Sequence, residues 1–209
     1  MRLYLVRHGD TGAIERYYGS TDIPLSPRGQ EQVERLRDRL ERERIALVYS
    51  SDLQRALHTA RVVASPHGQE PLPCPELREV DFGDYEGLTF SEIAQRDPQA
   101  RLSWRAPGYR FPGGGSLAEV GERVLAFSAR LEADMAVEGV LVVAHSGPLR
   151  WLLCHLLGLG PEGWWQLRPA PASLSLLDLR PQGAVLLLLN DTRHLRDGPQ
   201  GEAGRRGNG

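Results

Sequence analysis

The sequence predicts an α/β fold: a three-layer sandwich with a mainly parallel sheet and helices on both faces. Two observations carry this expectation. Short apolar runs such as residues 3–6, 45–49 and 140–144 alternate with segments of helical periodicity, a pattern that buries parallel strands between helical layers. The same three runs end in polar sequence just before a helix begins, as Arg7-His8-Gly9, Ser50-Ser51-Asp52 and His145-Ser146-Gly147. Open α/β sheets place their ligands at such strand ends.

The elements follow in order. After the first strand, a loop over residues 10–25 leads to Ser26-Pro27, an N-cap followed by proline at the first helical position. Val33, Leu36 and Leu40 recur at helical spacing, so residues 26–44 are expected to be an amphipathic helix. Residues 45–49 read as a buried strand. Ser50-Ser51-Asp52 then opens a helix through Leu53, Ala56, Leu57, Ala60, Val63 and Ala64, stopped near Pro66 and Gly68. Residues 71–111 are rich in Pro and Gly and read as an irregular insertion with a short helix near residues 90–96. Ser116 and Glu119 form a capping box that opens a helix to residue 137. Residues 140–144 are the next strand, and residues 147–157 a helix ended by Gly158 and Gly160. The last two strands, residues 174–179 and 185–189, pair across Pro181-Gln182-Gly183 as an antiparallel edge.

One domain over residues 1–195 is the economical organisation for a chain of 209 residues. Residues 196–209 lack the apolar side chains needed for a core and are expected to be a disordered tail. A net charge of -2 gives no reason to expect nucleic acid or an anionic membrane as partner. The apolar runs are too short to span a bilayer, and residues 2–7 do not have the form of a signal peptide. Cys74 and Cys154 make no disulfide framework and read as free thiols of a cytoplasmic protein. Neither assembly nor quaternary contacts are legible; a homodimer is the one assembly considered.

The chemistry lies at the strand ends. In a parallel sheet these ends share one edge, which brings Arg7, His8, Arg55 and His145 together. Two guanidiniums, two imidazoles and free N–H groups at helix starts make an anion pocket. A phosphoryl group suits it, because its equatorial oxygens match the planar arginine fork. Singly, each residue has a bland explanation: a histidine after a strand is usually a hydrogen-bonded loop residue, and an arginine near a helix start is usually solvated. Their joint placement is much harder to obtain by accident. Transfer to a histidine also needs an acid for the leaving alkoxide, and residues 77–87 offer carboxylates among apolar and glycine residues. Glu79 and Asp81 are the two candidates, barely separated by position. His58, His67, His155 and His194 show no ligand spacing, so no metal is expected. Ala144-His145-Ser146-Gly147-Pro148 lacks the Gly-x-Ser-x-Gly elbow of a serine hydrolase.

Five segments, in order, resemble the histidine phosphatase superfamily (phosphoglycerate-mutase-like, branch 1). They are residues 5–11, Asp22-Ile23-Pro24-Leu25-Ser26-Pro27-Arg28-Gly29, residues 50–56, residues 77–87 and residues 142–147. The resemblance implies a metal-independent, cofactor-free phosphomonoesterase acting on a small phosphorylated metabolite, with a phosphohistidine on His8. It implies phosphate held by Arg7, Arg55 and His145, Glu79 as acid and then base, and substrate contacts from Gly9, Thr11, Ser20, Thr21 and Ser146. Residues 19–25 and 157–167 are similar to α-ribazole phosphatases of cobalamin biosynthesis, so α-ribazole 5′-phosphate is one expected substrate. Tyr17, Tyr18, Phe82, Tyr85 or Trp104 would then stack on its base, while Trp164-Trp165 reads mainly as core. A broad sugar-phosphate phosphatase is the main rival. A cofactor-dependent phosphoglycerate mutase comes next, although mutases carry a longer insertion after the acid segment. Two departures stand out: Ile14 replaces a common asparagine, and Gly115 stands where many members carry glutamate.

Overall fold

The computed structural model describes residues 1–106 and 108–196. Almost all of the tail read from composition lies outside the described residues. Strands β1 (Arg2–Arg7), β2 (Leu47–Ser50), β3 (Leu72–Pro73), β4 (Gly139–Ala144), β5 (Leu174–Arg180) and β6 (Gly183–Asp191) build one six-stranded sheet in the order β3-β2-β4-β1-β5-β6. The pairs β1–β4, β2–β4 and β2–β3 are parallel, whereas β5 runs antiparallel to β1 and β6 antiparallel to β5. The sheet is thus mainly parallel with an antiparallel edge.

Strand periodicity divides the core in two. Leu3 and Leu5 of β1, with Val140, Val142 and Ala144 of β4, face one layer; Tyr4, Val6, Leu141 and Val143 face the other. Helices α1 (Pro27–Leu40) and α2 (Gln54–Ala64) cover the second face through Val33, Leu36, Leu40, Ala56, Ala60 and Val63. The first face is covered by α5 (Leu117–Ala133) and α6 (Ser146–Leu157), with the insertion that contains α3 (Phe90–Arg96) and α4 (Ala100–Ser103). Among the described residues, no helix is long and apolar enough to cross a membrane. Cys74 and Cys154 are buried free thiols.

The expected caps are in place. Ser26 Oγ accepts the Gly29 N–H at 3.0 Å, and Ser116 and Glu119 complete both halves of their capping box. Other boundaries shift. The first helix stops at Leu40, not residue 44, and α5 stops at Ala133, not residue 137. Helix α2 begins at Gln54 with Leu53 in the N-cap position; Ser51 Oγ, bonded to His145, reaches only as far as the Leu53 N–H at 3.3 Å, and Asp52 turns to Arg78. The carboxylate of Asp22 reaches over instead and accepts the Gln54 N–H at 2.8 Å. The insertion is more ordered than its composition suggests. It contributes β3 to the sheet, and 3₁₀ turns at Pro75–Leu77 and Gly83–Tyr85. A further 3₁₀ segment, Pro161–Gln166, follows α6.

Close approach of α1 to the loop after β1 explains Gly9. A Cβ there would lie 2.7 Å from the Gly29 carbonyl oxygen and 2.9 Å from Val33 Cγ2. Since the first of these is backbone, Gly9→Ala is expected to cost about 1–3 kcal/mol by overpacking. A urea titration reads this as a lower midpoint at constant slope; an unchanged midpoint would contradict the close packing.

Candidate active site

Three parallel strands deliver the site. In register, Arg7 of β1 lies beside Ala144 of β4, and Ser50 of β2 beside Val143. The next residues, His8, Ser51 and His145, therefore emerge at the same edge. His8 N–H donates to the Ala144 carbonyl at 3.0 Å and Ser51 N–H to the Val143 carbonyl at 2.9 Å.

The two imidazoles meet edge-on, with ring centroids 4.9 Å apart. His8 Nδ1 lies 2.7 Å from the Gly9 carbonyl oxygen. A carbonyl only accepts, so Nδ1 carries the proton and Nε2 the lone pair. Burial, reinforced by Arg7 and Arg55, holds the His8 pKa well below the ordinary histidine value. His145 takes the opposite tautomer: Nδ1 accepts from Arg55 Nε at 3.2 Å, and Nε2–H donates to Ser51 Oγ at 2.9 Å. Burial likewise depresses its pKa, helped by His8 and both arginines. Both rings are neutral at pH 7.

Arg55, only 1% exposed, is held on every side. Beyond His145, Nη1 donates to the Thr21 carbonyl at 3.0 Å and Nη2 to the Gly19 carbonyl at 2.7 Å. Its own carbonyl accepts from Thr59 Oγ, which in turn accepts the Gly9 N–H at 3.2 Å. Arg7 donates from Nη1 to the Pro169 carbonyl at 2.9 Å, while its Nε is buried with no hydrogen-bond partner among the described residues.

Of the two candidate carboxylates, the structure brings Glu79 to the cluster. Both its oxygens lie 3.1 Å from the Gly147 N–H, and Oε1 also accepts the Val80 N–H at 3.0 Å. Its charge acts on Arg7, Arg55, Arg123 and Arg150. Asp81 turns away, accepting from Ser20 Oγ and the Gly83 N–H, each at 2.9 Å.

Thr11 lines a cleft of about 530 Å³ with Ile14, Arg16, Tyr18 and Ile23. Ile14 is 82% exposed there. Ser20 and Thr21 belong to a turn wrapped around Glu86, whose carboxylate accepts N–H groups from Gly19, Ser20, Thr21 and Phe82. Ser146 is the first residue of α6. Tyr17, Phe82, Tyr85 and Trp104, read as stacking candidates with core packing as the alternative for each, pack edge-on against one another or against Phe111. Of that aromatic set, Tyr18 lines the cleft. Trp164 is buried, its Nε1–H on the Gly147 carbonyl. At Gly115 a Cβ would come within 3.2 Å of Glu119 Oε2. A side chain there would crowd the capping box.

Sequence reasoning missed several supports. Arg123 of α5 donates to the carbonyls of Pro75, Arg78 and Glu79 and so fixes the backbone that carries the carboxylate. Glu86 was visible only as one acid among several. The segment before β5 braces β1, with Ala172 N–H on the His8 carbonyl at 3.0 Å. No local motif marks these residues. Among the described residues no group of three or more His, Cys, Asp or Glu side chains is placed to hold a metal ion.

Residues 3–192 match the model of the histidine phosphatase superfamily (branch 1). The chain belongs to that superfamily. Similar relatives include the adenosylcobalamin/α-ribazole phosphatase of Escherichia coli, 36% identical with 91% of this chain and 96% of that protein covered. Phosphoserine phosphatase 1 of Hydrogenobacter thermophilus is 33% identical, covering 93% and 94%. The crystal structure of the α-ribazole phosphatase from Shigella flexneri superposes with a TM-score of 0.85 at 33% identity, over 92% of this chain and 97% of that one. This histidine phosphatase is accordingly a phosphomonoesterase with the phosphoglycerate-mutase-like α/β fold.

Two predictions follow from the geometry. A Cβ on Gly147 would sit 2.1 Å from Glu79 Oε1. Because that oxygen ends a flexible side chain, Gly147→Ala is expected to displace the carboxylate and leave the fold in place. Steady-state assays should show a loss of about 10²–10⁴ in kcat, the usual contribution of a positioned acid, with an unchanged thermal midpoint; near-normal kcat would contradict the placement. Secondly, His8 and His145 are neutral when folded, so below pH ~6.5 the unfolded chain binds more protons. Stability is thus fully present above that value and declines as pH falls through it, by about 1.4 kcal/mol per pH unit for each imidazole. Denaturant midpoints between pH 7.5 and 5.5 measure this. A flat profile would refute the neutral pair.

Proposed function

We propose that the protein hydrolyses phosphomonoesters of small metabolites by two successive displacements at phosphorus, without a metal. The reading is carried by two features together: a neutral His8 with its lone pair on Nε2, and a buried Arg7 Nε–H that has no hydrogen-bond partner among the described residues. A desolvated donor left unpaired costs about 1–3 kcal/mol, which a phosphoryl oxygen would offset. Arg55 and His145 complete the anion site, His145 exchanging Ser51 for a phosphoryl oxygen. Gly9, Thr11, Ser20, Thr21 and Ser146 surround the ester.

In the first step His8 Nε2 attacks phosphorus, the ester P–O bond breaks, and Glu79 gives its proton to the leaving oxygen. Glu79 enters this step as the acid and leaves it as the carboxylate that the second step uses. In the second step Glu79 takes a proton from water, the water oxygen bonds to phosphorus, and the P–N bond breaks to restore His8. The guanidiniums stabilise the charge spread over the equatorial oxygens in both steps.

α-Ribazole 5′-phosphate is the first substrate to test, supported by the Escherichia coli relative and the Shigella flexneri fold. The base would have Tyr18 at the cleft to stack on. Phosphoserine is a second reading, supported by the Hydrogenobacter thermophilus relative.

His8→Ala is expected to abolish phosphate release while the protein stays folded. Rapid quenching of the parent with a ³²P-labelled ester should leave label on His8. Turnover by His8→Ala within tenfold of the parent would sink the mechanism. Glu79→Gln should slow alkyl phosphates by about 10²–10⁴ and p-nitrophenyl phosphate much less, because nitrophenolate leaves without help. Equal losses for the two esters would contradict the acid role.

A further inference from the structure

Glu79 is anchored on Gly147, and a glycine is a loose anchor for an acid. No residue has wider backbone freedom, yet no larger one fits, because a Cβ there would meet Glu79 Oε1. Gly147 is the second residue of α6, in the first turn, where N–H groups have no acceptor within the helix. Its N–H is therefore available to both Glu79 oxygens, each at 3.1 Å. A restraint reaches the same residue from outside the helix. Trp164, buried on the 3₁₀ segment Pro161–Gln166, donates its Nε1–H to the Gly147 carbonyl at 3.2 Å. The indole is itself fixed: the guanidinium carbon of Arg150 lies over its ring, 4.4 Å from the centroid, and Trp165 meets it edge-on at 4.6 Å. Core packing alone does not demand such a bond. Trp104 and Trp151 bury their Nε1 atoms with no hydrogen-bond partner among the described residues.

We propose that Trp164 is a positioning residue for the acid: by holding the Gly147 carbonyl, it sets where Glu79 stands when it gives and takes the proton. This rests on the phosphatase reading above and adds a residue to its proton-transfer step. Glu79 bonds to the nitrogen of Gly147 and Trp164 to its oxygen, so a drift of that one residue carries the carboxylate with it. Misplacing a catalytic group by about 1 Å can cost about 10²-fold in rate, far more than such a drift costs the fold. The hydrogen bonds that hold Arg7, His8, Arg55 and His145 do not pass through Trp164. Its loss therefore falls on proton transfer and spares the grip on the phosphoryl group.

Trp164→Phe tests this, since it keeps a ring at the site and removes the donor. Two esters are compared: glycerol 3-phosphate, whose leaving group needs the acid, and p-nitrophenyl phosphate, whose leaving group does not. In Trp164→Phe, kcat for the alkyl ester is expected to fall about tenfold further than for the aryl ester, less than the 10²–10⁴ assigned to the acid itself. Competitive inhibition by inorganic phosphate should stay at the parent value. The ratio of the two rates does not depend on how much of the variant is folded, so a merely structural Trp164 leaves it unchanged. That outcome would overturn the proposal, as would the same change of ratio in Trp165→Phe, which is expected to keep the parent ratio. A second measurement needs no ester and no Trp164 variant. The indole ¹⁵N–¹H resonances of the parent and Glu79→Gln are compared, with assignments from Trp104→Phe, Trp151→Phe and Trp165→Phe. Removing the charge at Gly147 should move the Trp164 resonance and leave that of Trp165 in place; an unmoved Trp164 ends the proposal. Should the parent hydrolyse no ester, the phosphatase reading fails by itself, and the spectra still decide whether Trp164 and Glu79 are coupled.

Discussion

The site depends on burying one guanidinium without a carboxylate in direct contact. Arg55 satisfies its donors with an imidazole nitrogen and two loop carbonyls. A buried charge is costly unless its hydrogen bonds are complete, so this arrangement constrains everything around it. It fixes the His145 tautomer, since Nδ1 must accept. It folds the 19–21 turn down onto the strand ends. Through the Arg55 carbonyl and Thr59 it also reaches the Gly9 backbone beside His8. Because dipoles, not a counter-ion, meet the guanidinium, its charge remains available to a phosphoryl group.

Around this centre the protein separates two tasks. The strand ends, locked by sheet register, hold the groups proposed to grip phosphorus. Segments outside the sheet carry what surrounds them: the loop after β1, the irregular segment with Glu79 that Arg123 braces, and the 3₁₀ turn whose Trp164 packs on the start of α6. That division lets one reaction serve different esters within a single fold.

Much of this was legible in the sequence for definite reasons. Alternating apolar runs gave the parallel strands, and local chemistry gave the caps at Ser26 and Ser116. The strand-end grammar brought out Arg7, His8, Arg55 and His145 because sheet topology alone makes them converge. What stayed hidden depends on partners distant in the chain. Ser51 and Asp52 look like a helix cap but are drawn off by His145 and Arg78, leaving Asp22 to cap α2. The two-residue strand β3 has no pattern of its own and exists by pairing with β2. Stacking and core packing stayed open for the aromatics because sequence does not reveal that Trp104 gathers Tyr17, Tyr85, Phe90 and Phe111 around itself. Position in the chain barely separated Glu79 from Asp81; the family resemblance favoured Glu79, and in the fold it is Glu79 that meets the N–H of Gly147.

Glu86 has a consequence for how the surroundings of the cluster hold together. Its single carboxylate gathers amides from the turn after β1 and from Phe82 in the acid-bearing segment. Two stretches far apart in the chain are thereby riveted into one body, and neither can swing outward alone without surrendering charge-assisted bonds.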